Sequence, residues 1–114
     1  AMSFADLAQH LLDADSWMAR KLEDHSLASI TGSAGSASPE SRADYERMLN
    51  VLEQSGRQRS ELIAALSAAQ LRQKIPDDRF GGTVSVWWVI VRGNLDHEIH
   101  HRGQIAAWLP LARR

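Results

Sequence analysis

The sequence predicts an all-α fold, a helical bundle of three main helices, on three observations. Apolar residues recur every three or four positions over long stretches, a helix start signal stands before each stretch, and the single β-rich run has no second strand to pair with. With 114 residues, 44% hydrophobic and 24% charged, the chain has the usage of one globular domain spanning 1–114.

The first helix opens at "MSFADL", where Ser3 caps and Asp6, three residues on, completes a short capping box. Phe4, Leu7, Leu11, Ala14, Met18 and Leu22 then form one stripe, which predicts a helix over about 3–27. "ASITGSAGSAS" breaks it. Ser38 and Pro39 read as N-cap and first residue of a second helix over 39–72, with Glu40 at the positive end of its dipole. Its apolar positions are Tyr45, Met48, Leu49, Leu52, Leu62, Ile63 and Leu66. Gly56 and Arg59 interrupt that stripe, and a kink or a snorkelling side chain explains them more simply than a functional groove. "QKIPDDRFGG" is a loop by its Pro, Asp and Gly content. "TVSVWWVIV" has the β-branched and aromatic content of a buried strand, yet the pattern continues without a strong breaker through Leu95, Ile99, Ile105 and Leu109. A third helix over 83–109 is therefore expected.

Composition excludes several functions. A net charge of −1, with no basic stripe interleaved with aromatics, argues against nucleic-acid binding, and Arg113 and Arg114 read as a solvated tail. The chain has no cysteine, so disulfides, thiolate ligands and a cysteine nucleophile are excluded, and histidine and carboxylate remain as metal ligands. No signal peptide is legible, and the apolar run around Val84–Val91 is far short of a membrane span. A soluble, cytoplasmic protein is the default expectation. Ala1 before Met2 reads as a cloning remnant.

Three of the five histidines fall in "LDHEIHHRGQI", residues 95–105. On a helix His97 and His101 stack on one face, continued by Gln104 and Trp108, while His100 points elsewhere. Such a pair holds one metal ion, although most pairs at this spacing are surface or core residues. His10 lies beside the apolar stripe of the first helix, flanked by Leu7 and Ala14; alone it reads as a core histidine. Together the three can form a three-nitrogen site with open positions, the arrangement of a catalytic rather than a closed structural metal.

"LDHEIHHRGQIAAWL" resembles the last-helix signature of the DinB/YfiT-like family of four-helix-bundle proteins, and "LAQHLLDADSWMARKL" resembles that family's second helix. The resemblance covers about residues 3–109. It implies a divalent metal, zinc or nickel, held by His10, His97 and His101. It also implies metal-dependent transfer of a low-molecular-weight thiol to a small electrophile. A non-catalytic metal-binding or oligomerisation module is the alternative, and metal-dependent hydrolysis is third. No catalytic residue is assigned. Gln104, Arg102 and Asp13 are candidates to support the ligands from behind, through hydrogen bonds or, for Arg102, a tie to a carboxylate. Trp17 and Trp108 share the stripes of the ligands and either wall the site or belong to the core. Asp96 and Glu98 lie off the histidine face, and His25 is unrelated.

Two departures from the family pattern stand out. The family's first helix should precede Ser3, and Pro110 stands where the family carries an arginine. Without that helix, an apolar face that includes Val84, Trp87, Trp88 and Val91 is expected to drive formation of a homodimer, with exchange of the first helix between protomers as one route. A small-molecule substrate is the other expected partner, with no nucleic acid and no membrane. His10 lies near the start of its helix and His97 and His101 lie before the end of theirs, so those two helices must run antiparallel. The first and second helices are then parallel, joined by a crossover through "ASITGSAGSASP", whose twelve residues extend to about 40 Å against about 36 Å for a 24-residue helix.

Overall fold

The computed structural model describes residues 3–33, 38–77 and 81–112. Ala1, Met2, Arg113 and Arg114, expected as remnant and tail, lie outside the described residues. Helix α1 spans Phe4–Lys21, α2 His25–Gly32, α3 Arg42–Ala65 and α4 Ala68–Arg72. Strands β1 (Lys74–Pro76) and β2 (Thr83–Ser85) follow, then α5 (Val86–Ile90), a π-helical segment (Val91–Leu95) and α6 (Asp96–Ala112).

Ser3 starts α1 as expected: its Oγ accepts from Asp6 N at 3.1 Å, and Ser3 N donates to Asp6 Oδ2 at 2.9 Å. The helix stops at Lys21 rather than near 27. Glu23 adopts a φ of 56°, and Asp24 caps a new helix by accepting from Leu27 N at 2.8 Å. Helix α2 doubles back along α1. Leu27 packs with Met18 and Ala19, Ile30 packs against Ala8 and Leu12, and Ser16 Oγ donates to Thr31 Oγ1 at 2.6 Å.

The second long helix also begins later than expected. Ser41, not Ser38, is its N-cap, accepting from Asp44 N at 3.1 Å in the same Ser-x-x-Asp pattern as Ser3 and Asp6. It runs unbroken through Gly56 and Arg59, and Arg59 turns inward to an ion pair with Asp15. It ends before 72 because Leu66 turns extended and Ser67 recaps, with Gln70 closing a second capping box. Ala8 and Leu12 meet Met48 and Val51, Asp15 meets Ser55, and Met18 lies near Ile63. Residue numbers rise together, so α1 and α3 are parallel as the histidine argument requires. Residues 28–32 of the expected crossover are helical, so α2 itself carries the chain back.

Thr83–Ser85 form a strand rather than the start of the third helix. The partner thought to be missing is Lys74–Pro76, paired antiparallel with Ile75 opposite Val84. The turn between them needs glycine, because Gly81 and Gly82 sit at φ 77° and 76°. Ser85 then caps α5, accepting from Trp88 N at 3.0 Å. The chain remains helical through Pro110 to Ala112 and runs antiparallel to α1: Val89 and Ile90 pack near Met18, and Asn94 reaches Asp15. Val84, Trp88 and Val91 pack within this core and only Trp87, half exposed, faces outward, so the expected apolar face is smaller than predicted.

Candidate metal centre

His10 projects from the second turn of α1, and His97 and His101 from the first turns of α6. Antiparallel packing brings the three rings together within one chain, so no exchange of helices is needed. The ring centroids of His10 lie 4.8 Å from those of both His97 and His101, and the last two are 4.5 Å apart. One nitrogen from each lies within 4.8 Å of the others. His101 is buried, His97 half-buried and His10 exposed, so the cluster opens toward solvent on the α1 side.

The hydrogen bonds fix the chemistry of one ring. His101 Nδ1 lies 2.5 Å from Gln104 Oε1. An amide oxygen only accepts, so Nδ1 carries the proton and, in the neutral ring, Nε2 offers its lone pair to the cluster. His101 Nε2 is 3.0 Å from His97 Nε2. Two imidazoles on one zinc-type ion, at about 2.0–2.1 Å each and with bond angles of about 90–109°, hold their nitrogens roughly 2.9–3.4 Å apart. The pair fits that spacing, and exposed His10 is the member with room to adjust. Gln104 thus takes the place of the carboxylate or carbonyl that commonly orients a ligating histidine.

The other sequence candidates sort clearly. Arg102 is exposed and makes no ion pair among the described residues. Asp13 accepts from Gln9 Nε2 at 2.9 Å and lines an open pocket of about 230 Å³ with His10, Ala14, Trp17, Gly93 and His97. Trp17 therefore walls the site; Trp108 is half-buried and does not line that pocket. His100 is exposed, its ring touching only the edge of the cluster at 5.1 Å from His101. His25 lines a different cavity with Arg20 and Glu23. Asp96 pairs with Arg92 at the surface, 3.4 Å away.

Sequence reasoning missed a second polar cluster, one to two turns along the same helices. The Asp15 carboxylate, 1% exposed, accepts from Ser55 Oγ at 2.5 Å, Asn94 Nδ2 at 2.9 Å and Arg59 Nη1 at 2.9 Å. Arg59 Nη2 continues to Glu98 Oε2 at 2.8 Å, so Glu98 does point away from the histidine face. Burial is the largest influence on the guanidinium and by itself lowers its pKa, but Asp15 and Glu98 outweigh it and leave the pKa above the ordinary arginine value. Arg59, read as an interruption of an apolar stripe, is the link between three helices. Asn94 belongs to the π-helical segment, whose wider turn precedes His97. Such segments commonly mark functional sites. Here the segment lets one helix present Asn94 to Asp15 and, three residues later, His97 to His10.

A family model matches residues 1–105, and it describes the DinB superfamily. No curated protein and no solved structure matches the chain. The chain belongs to the DinB superfamily.

Proposed function

We propose that His10, His97 and His101 hold a divalent ion, zinc or nickel, and that the protein uses it to transfer a low-molecular-weight thiol to a small electrophile. The observation that carries this reading is a three-nitrogen cluster of which two members, His10 and His97, line an open pocket. Three neutral nitrogen ligands that leave positions open suit catalysis, whereas a structural site closes its fourth position with protein. When bound, such an ion lowers the pKa of a thiol enough to supply thiolate at neutral pH.

The chain's own residues do the rest. Gln104 sets the tautomer and direction of His101. Trp17 and Ala14 give the pocket an apolar wall against which an electrophile loses water, and Gly93 lines it beside them. Purified protein expressed with added zinc should carry about one ion per chain by elemental analysis. His97→Ala and His101→Ala should remove it, His10→Ala should weaken it strongly, and His100→Ala and His25→Ala should leave it unchanged. Loaded protein should accelerate consumption of thiols by a model electrophile such as chlorodinitrobenzene, and the His97 and His101 variants should not. Wild-type protein without the ion, or equal loss in the His100 and His101 variants, overturns the assignment.

A further inference from the structure

The pocket beside the histidines carries a carboxylate that pairs with no cationic side chain among the described residues. Asp13 is exposed on its wall, and its Oδ1 is held by Gln9 Nε2 at 2.9 Å. No lysine or arginine lines the pocket, and Asp13 makes no ion pair among the described residues. Gln9 is a neutral partner that orients the carboxylate without cancelling its charge, and Oδ2 remains to accept from a ligand. Trp17 lies four residues further along α1, on the same face and in the same pocket. An oriented carboxylate attracts an organic cation through its charge, and an indole beside it offers apolar surface to the cation's methyl or methylene groups.

Resting on the reading of the histidines as metal ligands, we infer that this pocket selects a small ligand bearing a cationic amine close to the group that meets the histidines. For a thiol cosubstrate, the class is aminothiols. The spacing suits a short linker, since His10 and Asp13 are one helical turn apart, about 5–6 Å between their Cβ atoms. The amine rests on Asp13 and Trp17, and the sulfur end faces His10 and His97.

Three small thiols that differ only near one end test this. Thiocholine is a permanent cation whose nitrogen cannot coordinate an ion, 2-mercaptoethanol is neutral and 3-mercaptopropionate is an anion. Measured by isothermal titration calorimetry on zinc-loaded protein, thiocholine should bind at least tenfold tighter than 2-mercaptoethanol, with 3-mercaptopropionate as the control for charge of the opposite sign. Asp13→Asn, an isosteric change at an exposed position, should bring those two within about twofold of each other and leave 2-mercaptoethanol where it was. Equal affinities for the three, or a thiocholine preference that survives Asp13→Asn, overturns the inference and leaves the histidine reading intact. Protein that takes up no zinc removes the histidine reading and this inference together.

Discussion

Two polar clusters lie between the same helices and are built to opposite rules. Around Asp15 every strong group is matched: the carboxylate takes three donors, and Arg59 bridges it to Glu98. Around His10, His97 and His101 the rings face one another at 4.5–4.8 Å, with one side open to a pocket. A sealed, satisfied network costs much to disturb and has no lone pair left for a ligand. An open cluster of imidazoles gains little by itself and has capacity to spare. The contrast separates what holds the helices from what the helices hold.

The largest expected effect tests that separation directly. Asp15→Ala should destabilise the protein by about 3–5 kcal/mol, the usual cost of leaving one member of a buried ion pair alone, read from the urea midpoint. His97→Ala should change the stability of metal-free protein by less than about 1 kcal/mol while removing the ion. Similar stability losses in the two variants would erase the distinction. Because the Arg59 pKa is raised, its contribution is fully present below the ordinary arginine value and is lost only as pH rises through the folded one. Arg59 therefore remains charged across the neutral range and gives the Asp15 deficit no alkaline drift between about pH 6 and 9.

A smaller effect sharpens the other half of the comparison. Gln104→Ala removes the acceptor behind His101 and should weaken zinc binding by about 10–100-fold, with stability within about 0.5 kcal/mol of wild type. A competition titration against a chromogenic chelator measures it. The smallest effect lies outside both clusters, where Ser3→Ala should cost about 1 kcal/mol as a lost N-cap. The backbone N–H of Ser3, then its hydroxyl, hold the Asp6 carboxyl below its ordinary value. Its stabilising contribution is thus present above about pH 3.9 and lost as pH falls through the folded value. Ser3→Ala keeps that backbone N–H and loses the bond from Asp6 N to the hydroxyl, which does not titrate, so most of its deficit should persist in acid, as thermal melts across that range would show.

The histidine cluster was legible because its rules are local. A spacing of four fixes His97 and His101 on one face, and the need to bring His10 to them dictates parallel α1 and α3. Helix starts were legible where a serine has a partner three residues on, as at Ser3, and misplaced where two serines compete, as at Ser38 and Ser41. The Asp15 network was not seen because its members lie far apart in sequence and each has an ordinary surface explanation. The available signal was joint: Asp15 sits between Leu12 and Met18 on a buried stripe, and Arg59 breaks the apolar stripe of another helix. Opposite charges stranded on two inward faces predict each other. The π-helical segment Val91–Leu95 left only a weak local signal, Gly93 and Asn94, too mild to break the apolar pattern that runs on either side.

The candidate ligands come from the first helix and the last, so the cluster closes only when the two ends of the fold have met. Helices α1, α2 and α3 follow one another and pack locally, whereas α6 must dock across nearly the whole chain. Closing so long a loop is entropically slow and makes docking of α6 a late step in folding. An ion taken up there acts as a latch on the finished structure, opposing detachment of the last helix in proportion to its affinity for the closed form. Amide exchange in α6 should slow on loading by more than exchange in α2.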